Sequence, residues 1–143
     1  MEALGRLLNV QQAMDNVYVN VRDAGGITFA CYLGGAAGDT YTLTEATTAA
    51  GGGAQVLATV TRYHTNTGNG TDGWTLRTQA AASTVITAAA ATQNQAVFEV
   101  NASELSDGYD FVKVASTGAG VVSAIPRDLR VQRAPANLPA IGV

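Results

Sequence analysis

His64 is the one imidazole in the sequence and Cys31 the one thiol. Both bear on what chemistry the chain can support. A serine or cysteine hydrolase needs a nucleophile with an oriented base. His64 is the sole imidazole available for that task. The serines Ser83, Ser103, Ser106, Ser116 and Ser123 have no Gly-x-Ser-x-Gly context. A zinc site needs several histidine or cysteine ligands, and one of each does not make one. Calcium takes oxygen ligands instead. The polar octet at residues 66–73, Asn-Thr-Gly-Asn-Gly-Thr-Asp-Gly, is superficially like such a loop. Its only carboxylate is Asp72, and no glutamate follows at the required distance, so charge neutralisation is poor.

The glycine runs at residues 34–38 and 51–53 lack the lysine and the following helix of a phosphate cradle. Glu104, Asp107 and Asp110 supply carboxylates for glycosidase-type chemistry, but they read more simply as a solvated turn. No cofactor or metal is expected, and no enzyme class is favoured. The octet is therefore expected to be a hairpin tip, with Trp74 anchoring the returning strand.

Composition narrows the partners. Charged residues make up 13% of the 143 residues, about half the usual share. A surface that sparsely charged is disfavoured for a freely diffusing monomer. It suits a protein packed against copies of itself or against another protein. The net charge of −3 argues against a nucleic-acid partner. Nowhere does an apolar run reach membrane-spanning length, and no membrane partner is expected. The first residues, Met-Glu-Ala-Leu-Gly-Arg-Leu-Leu, lack the basic and apolar segments of a signal peptide. Cys31 falls in Ile27-Thr-Phe-Ala-Cys-Tyr-Leu33, on one face with Ile27, Phe29 and Leu33, and reads as a buried structural thiol.

The elements that position these residues read as strands. Period-two alternation marks residues 17–21, 26–33, 40–45, 55–65, 74–78, 83–87, 96–102, 111–116 and 121–125. Segments 17–21 and 26–33 are expected to pair as a hairpin across Asp23-Ala-Gly-Gly26. Segments 111–116 and 121–125 are expected to pair around Thr117-Gly-Ala-Gly120. Ser103 is expected to cap one helical turn over residues 102–107. The fold class is all-β: a single small sandwich or barrel of about seven to nine short antiparallel strands over residues 17–125. Residues 1–16 and 126–143 are expected to be non-regular arms.

The arms carry the strongest partner-binding signal. Leu4, Leu7 and Leu8 lie in the first, and Leu129, Val131, Leu138 and Ile141 in the second. These apolar side chains have no place in the expected sandwich and would otherwise be exposed. Arg127, Arg130 and Arg133 recur every third residue, which in a three-per-turn extended arm places them on one side. Guanidinium groups suit bidentate pairing with a partner's carboxylates. Pro126, Pro135 and Pro139 keep this segment out of a central strand or a regular helix.

In overall style the chain resembles a capsid decoration (minor capsid) protein of tailed bacteriophages. It shares the Ala/Gly/Thr-rich, charge-poor β character, the length and the two terminal arms. Asp107-Gly-Tyr-Asp-Phe-Val-Lys-Val114, followed by a closing strand and a short tail, is similar to the C-terminal part of phage structural proteins. The resemblance implies a virion protein made in the host cytoplasm and carried on the capsid surface. It implies homotrimers of a β-rich domain whose arms clasp the major capsid protein. Two other readings stay open. A tail-tube or head–tail connector subunit has similar composition, and its long hairpin would be residues 55–78. A carbohydrate or host-surface binding module would use the octet and Trp74.

Overall fold

The computed structural model describes residues 3–33, 38–118 and 120–142. It is all-β, with ten strands: β1 (Val19–Asn20), β2 (Ala24–Tyr32), β3 (Asp39–Ala46), β4 (Gln55–Val56), β5 (Val60–Asn66), β6 (Thr75–Ala82), β7 (Thr84–Thr87), β8 (Gln95–Asn101), β9 (Phe111–Ser116) and β10 (Val121–Leu129). They form two antiparallel five-stranded sheets. Sheet one runs β10-β2-β8-β5-β6. In sheet two β9 lies between β1 and β3, and both β4 and β7 pair with β3. Among the described residues, no helix is long and apolar enough to cross a membrane.

The two inner faces make the core. From sheet one come Ile27, Phe29, Cys31, Phe98, Val100 and Val122, all buried. The Phe29 and Phe98 rings meet at 5.7 Å between centroids. From sheet two come Val19, Tyr41, Leu43, Val85, Val112 and Val114. Alternation along β2 from Ile27, along β3 as far as Glu45 and along β8 produces this arrangement, since every second side chain points inward.

Two expected hairpins are corrected. β1 belongs to sheet two and β2 to sheet one, so they do not pair. Gly25 and Gly26 do not turn the chain either: they lie inside β2. A Cβ on Gly26 would sit 2.7 Å from the Val100 carbonyl oxygen, and one on Gly25 would sit 2.9 Å from the Asp128 Cβ. These glycines serve close approach between neighbouring strands. β9 and β10 likewise sit in different sheets. Val112 and Val114 of β9 and Val122 and Ala124 of β10 are all buried, which two strands arching over one core accomplish.

Residues 55–65 split into β4 and β5, with Leu57 buried at the crossing between sheets. That split raises the strand count above the expected range. The turn after β8 is a single 3-10 turn, Ala102–Glu104, entered from Asn101 and not from Ser103. Asn101 N donates to Glu104 Oε2 at 2.7 Å.

The sandwich also reaches past Ile125. β10 runs to Leu129 and includes the buried Pro126. The proline is tolerated because β10 is the outermost strand of its sheet. The N-terminal segment then covers that outer edge. Asn9 N donates to Pro126 O at 2.9 Å, Gln11 N to Ala124 O at 2.9 Å, and Met14 N to Val122 O at 2.8 Å. Ala124 N returns a bond to Gln11 O at 2.8 Å, and Asp128 N donates to Leu7 O at 2.9 Å. The first segment acts as an irregular extra strand.

Deleting residues 1–11 should therefore uncover β10 and destabilise the fold by about 2–5 kcal/mol, at roughly 1 kcal/mol for each lost backbone bond. Thermal melts with simultaneous light scattering check this. The expected outcome is a lower melting temperature together with new aggregation through the bared edge. An unchanged melt would show that the segment is only loosely attached.

Candidate docking surface

The residues singled out at the two ends of the sequence come together in space. Gly5 is the hinge of the contact. Its φ is +81°, and a Cβ there would lie 2.2 Å from the Arg133 carbonyl oxygen. Only glycine fits both the left-handed conformation and the approach. Arg133 N donates to Gly5 O at 2.8 Å, closing the first segment on the last. Arg130 N donates to Asp23 O at 2.8 Å, and Asn20 N to Ile141 O at 2.7 Å. A 3-10 turn, Pro135–Asn137, brings the chain back toward the sandwich.

This folding-back leaves a cleft of about 200 Å³. Leu129, Val131, Leu138 and Ile141 give it an apolar lining, with the ring of Pro126. Asn9, Asn20, Asp23 and Arg133 supply polar groups. The volume is below the usual range for small-molecule sites, roughly 300–1,000 Å³. A cleft of that size has room for one large side chain. The mouth carries further apolar surface, since Val131 is 42% exposed. Leu7, on the neighbouring N-terminal turn, is 62% exposed.

The ten candidate residues divide into distinct groups. Leu129, Val131, Arg133, Leu138 and Ile141 line the cleft. Ile141 itself is buried in the chain's own core, which removes it from direct reach of a partner. Leu4 and Leu8 are half-buried, and Leu7 is exposed. Arg127 is tied up within the chain. Its guanidinium donates to Asn101 Oδ1 at 2.8 Å, pairs with Glu99 at 3.0 Å and also contacts the Asp128 carboxylate. Arg127 lies in β10, so the three arginines do not share one side of an extended arm. Arg130 and Arg133 are exposed, and among the described residues neither forms a salt bridge.

The octet is the tip of the β5–β6 hairpin, as expected. The loop holds itself together. Asp72 accepts from Thr67 N at 3.2 Å and from Thr67 Oγ1 at 2.5 Å. Asn69 Oδ1 accepts from Thr71 N at 3.0 Å. Among the described residues no group of three or more His, Cys, Asp or Glu could hold a metal. Trp74 does not anchor the return strand by burial: it is 50% exposed. With His64 and Val97 it lines a shallow depression on the outer face of sheet one. Strand directions put the octet and the cleft at opposite ends of the sandwich. The glycine run at 34–38 falls, apart from Gly38, outside the described residues. Cys31 is buried, and burial pushes its thiol well above its ordinary range, with nearby Asp39 and Asp15 adding to the rise.

Two carboxylates that support this architecture escape a sequence reading. Asp39 and Glu45, at the two ends of β3, are buried on the same face as Tyr41 and Leu43. Burial alone would raise both carboxyl groups. For Asp39 that push is outweighed by the Ser116 and Thr117 hydroxyls and the Thr40 and Gly118 N–H groups, so its pKa is lowered. For Glu45 the Ser106 hydroxyl, the Gln55 amide and the Ser106 N–H do the same. The period-two pattern does hold the signal: positions 39, 41, 43 and 45 share one face.

Comparisons with protein-family models, with curated proteins and with solved structures return no match.

The lowered carboxylates set the pH dependence of stability. A folded pKa below the unfolded value gives stability that is complete above the unfolded carboxylate range, about 4. It is lost as pH falls through the folded values. Melting temperatures of the wild type should fall below about pH 4, and an Asp39→Asn/Glu45→Gln double variant should show a flatter profile. At neutral pH, Glu45→Ala should cost about 1–3 kcal/mol by stranding its donors. Denaturant titrations across pH check both, and equal pH slopes for wild type and double variant would contradict the assignment.

Proposed function

We propose that this chain is a non-enzymatic structural subunit of a tailed-phage virion. It associates with copies of itself and docks on the major capsid protein at the outer surface of the shell, stabilising it. The observation that carries this reading is the cleft at the joined termini, with the exposed Leu7 and Val131 nearby and the exposed Arg130 and Arg133, which form no salt bridge among the described residues. Docking then uses a preformed surface, because both terminal segments are held against the sandwich by backbone hydrogen bonds. A preformed surface forfeits less ordering entropy on binding than a free arm would. Each contact is weak, and engagement of several capsid subunits by one oligomer multiplies the attachment. Bound subunits favour the assembled shell over its dissociated state by mass action.

A tail-tube or connector role is the second reading. It is favoured by the β5–β6 hairpin, whose β6 strand includes exposed residues on both of its faces. A strand of that kind is available to join a neighbour's sheet in a ring.

The test uses point substitutions. Truncation at Pro126 would remove the end of β10 and the buried Ile141, and so would confound attachment with folding. Val131→Asp and Arg130→Glu alter exposed positions. Each should weaken co-sedimentation with capsids lacking the protein by about ten-fold, the scale of one interface contact of roughly 1–2 kcal/mol. Melting temperatures should stay at the wild-type value. Undiminished attachment of both variants would sink the docking reading. Rings or tubes of the pure protein in negative stain would favour the second one.

A further inference from the structure

β6 is the one long outermost strand left open among the described residues. Sheet two ends on strands of two to four residues, β1, β4 and β7. In sheet one the β10 edge is covered by the N-terminal segment. β6 pairs only with β5. Open edges are ordinarily blunted by lysine, proline, bulges or shortness. β6 spans eight residues, Thr-Leu-Arg-Thr-Gln-Ala-Ala-Ala, with neither lysine nor proline. A bulge protects its second half: register shifts between Val60 and Arg62, and the Gln79 amide donates to Val60 O and Thr84 O there. The regular free edge is thus residues 75–78.

That edge is also apolar on its outer side. Leu76 is 51% exposed and Trp74 50%. Leu76 lies opposite His64, His64 opposite Val97, and Val97 opposite Ala30, one row across sheet one. The row ends in the open at Leu76.

We propose that residues 74–78 pair antiparallel with the same segment of a second copy, about a twofold axis at Leu76. This deepens the proposed function by naming its self-contact. It rests only on the self-association part of that reading, and it gives pairs where the resemblance implies threes. The register follows from charge and shape. With the axis at Leu76, Leu76 faces Leu76, Trp74 faces Thr78, and Arg77 faces Thr75. The exposed apolar side chains gather at the axis, and no charge meets a like charge. An axis at Arg77 would oppose two guanidiniums directly, which is destabilising. An axis at Thr78 would run the partner into the bulge beside Gln79. A strand that complements itself in one register without charge conflict suits a second copy of this chain. With the β10 edge covered, pairing closes at two copies and no filament grows.

The seam is small. A five-residue ladder with its flanking side chains falls short of the roughly 1,200–2,000 Å² of a stable interface. The pair is therefore weak and concentration-dependent.

Sedimentation velocity over a hundred-fold concentration range tests it, with the full chain and no capsid. Wild type should move from monomer toward dimer as concentration rises. Leu76→Lys should raise the concentration for pairing by at least about ten-fold. Ile86→Lys, at an exposed apolar position on β7 of sheet two, should leave it unchanged. Cysteine variants fix the register under a mild copper–phenanthroline oxidant. Leu76→Cys should give a covalent dimer much faster than Thr78→Cys, because the two copies of residue 76 face each other at the axis and those of residue 78 do not; Cys31 is buried and takes no part. A monomer at every concentration, a trimer, or equal cross-linking at the two positions would overturn the proposal. Capsid co-sedimentation of Leu76→Lys, run in parallel at a concentration where wild type is monomeric, separates this failure from failure of the docking surface.

Discussion

The two buried carboxylates of β3 constrain everything around them. Among the described residues neither pairs with a cation. Asp39 is held by the Thr40, Thr117 and Gly118 N–H groups and the Ser116 and Thr117 hydroxyls. Glu45 is held by Ser106 N at 2.9 Å, Ser106 Oγ at 2.5 Å and Gln55 Nε2 at 2.6 Å. A buried charge without compensation is expensive, so these donors must be in place for the strand to be buried at all. Apart from Thr40 in β3 and Gln55 in β4, they come from the last residue of β9, Ser116, and from the segments on either side of that strand. Residue 106 precedes that strand, and residues 116–118 begin the arch to β10. Each end of β3 thereby fixes one end of its neighbour β9. The arch carries β10 into the opposite sheet, where the terminal segments later dock.

The management of strand edges follows from the same economy of charge. With 13% charged residues, the chain has few lysines or glutamates to place along its edges; Lys113 is its only lysine. It covers the β10 edge with its own N-terminal segment and shortens the outer strands of sheet two. Arg127, the most centrally placed of the C-terminal arginines, is neutralised locally by Glu99 and Asp128. Among the exposed side chains, Leu7, Arg130, Val131 and Arg133 sit at the cleft end, and Trp74 and Leu76 sit at the β6 edge.

Much of the strand content was legible because alternation reports burial directly. β2, β3 and β8 follow from Ile27, Phe29 and Cys31, from Tyr41 and Leu43, and from Ala96, Phe98 and Val100. Sheet membership was not legible. Alternation says that a strand is half-buried but not which sheet supplies the other half, so β1–β2 and β9–β10 read as hairpins when they are arches. The crossing at Leu57-Ala58-Thr59 contains neither glycine nor proline, and nothing local marks it. Asp39 and Glu45 were hidden because polarity defines the solvent face in such a reading, and most of their donors lie 61 to 79 residues away. The terminal residues stand out in the sequence by their type. Their arrangement was not legible, because the fit of Gly5 against the Arg133 carbonyl is a contact between opposite ends of the chain.

The cleft and the β6 edge are independent surfaces by construction. β10 and β6 are the two outermost strands of sheet one, about 19 Å apart at roughly 4.8 Å per strand. One can be occupied without blocking the other. A twofold pair through β6 makes a ten-stranded sheet with its clefts at diagonally opposite corners. Antiparallel pairing turns one copy end over end, so the clefts face opposite strand directions. Such a pair links two separate partners more readily than it grips one partner twice. Linking neighbours is how a weakly held subunit stabilises a lattice, since each dissociating partner must break contacts that the other end still holds.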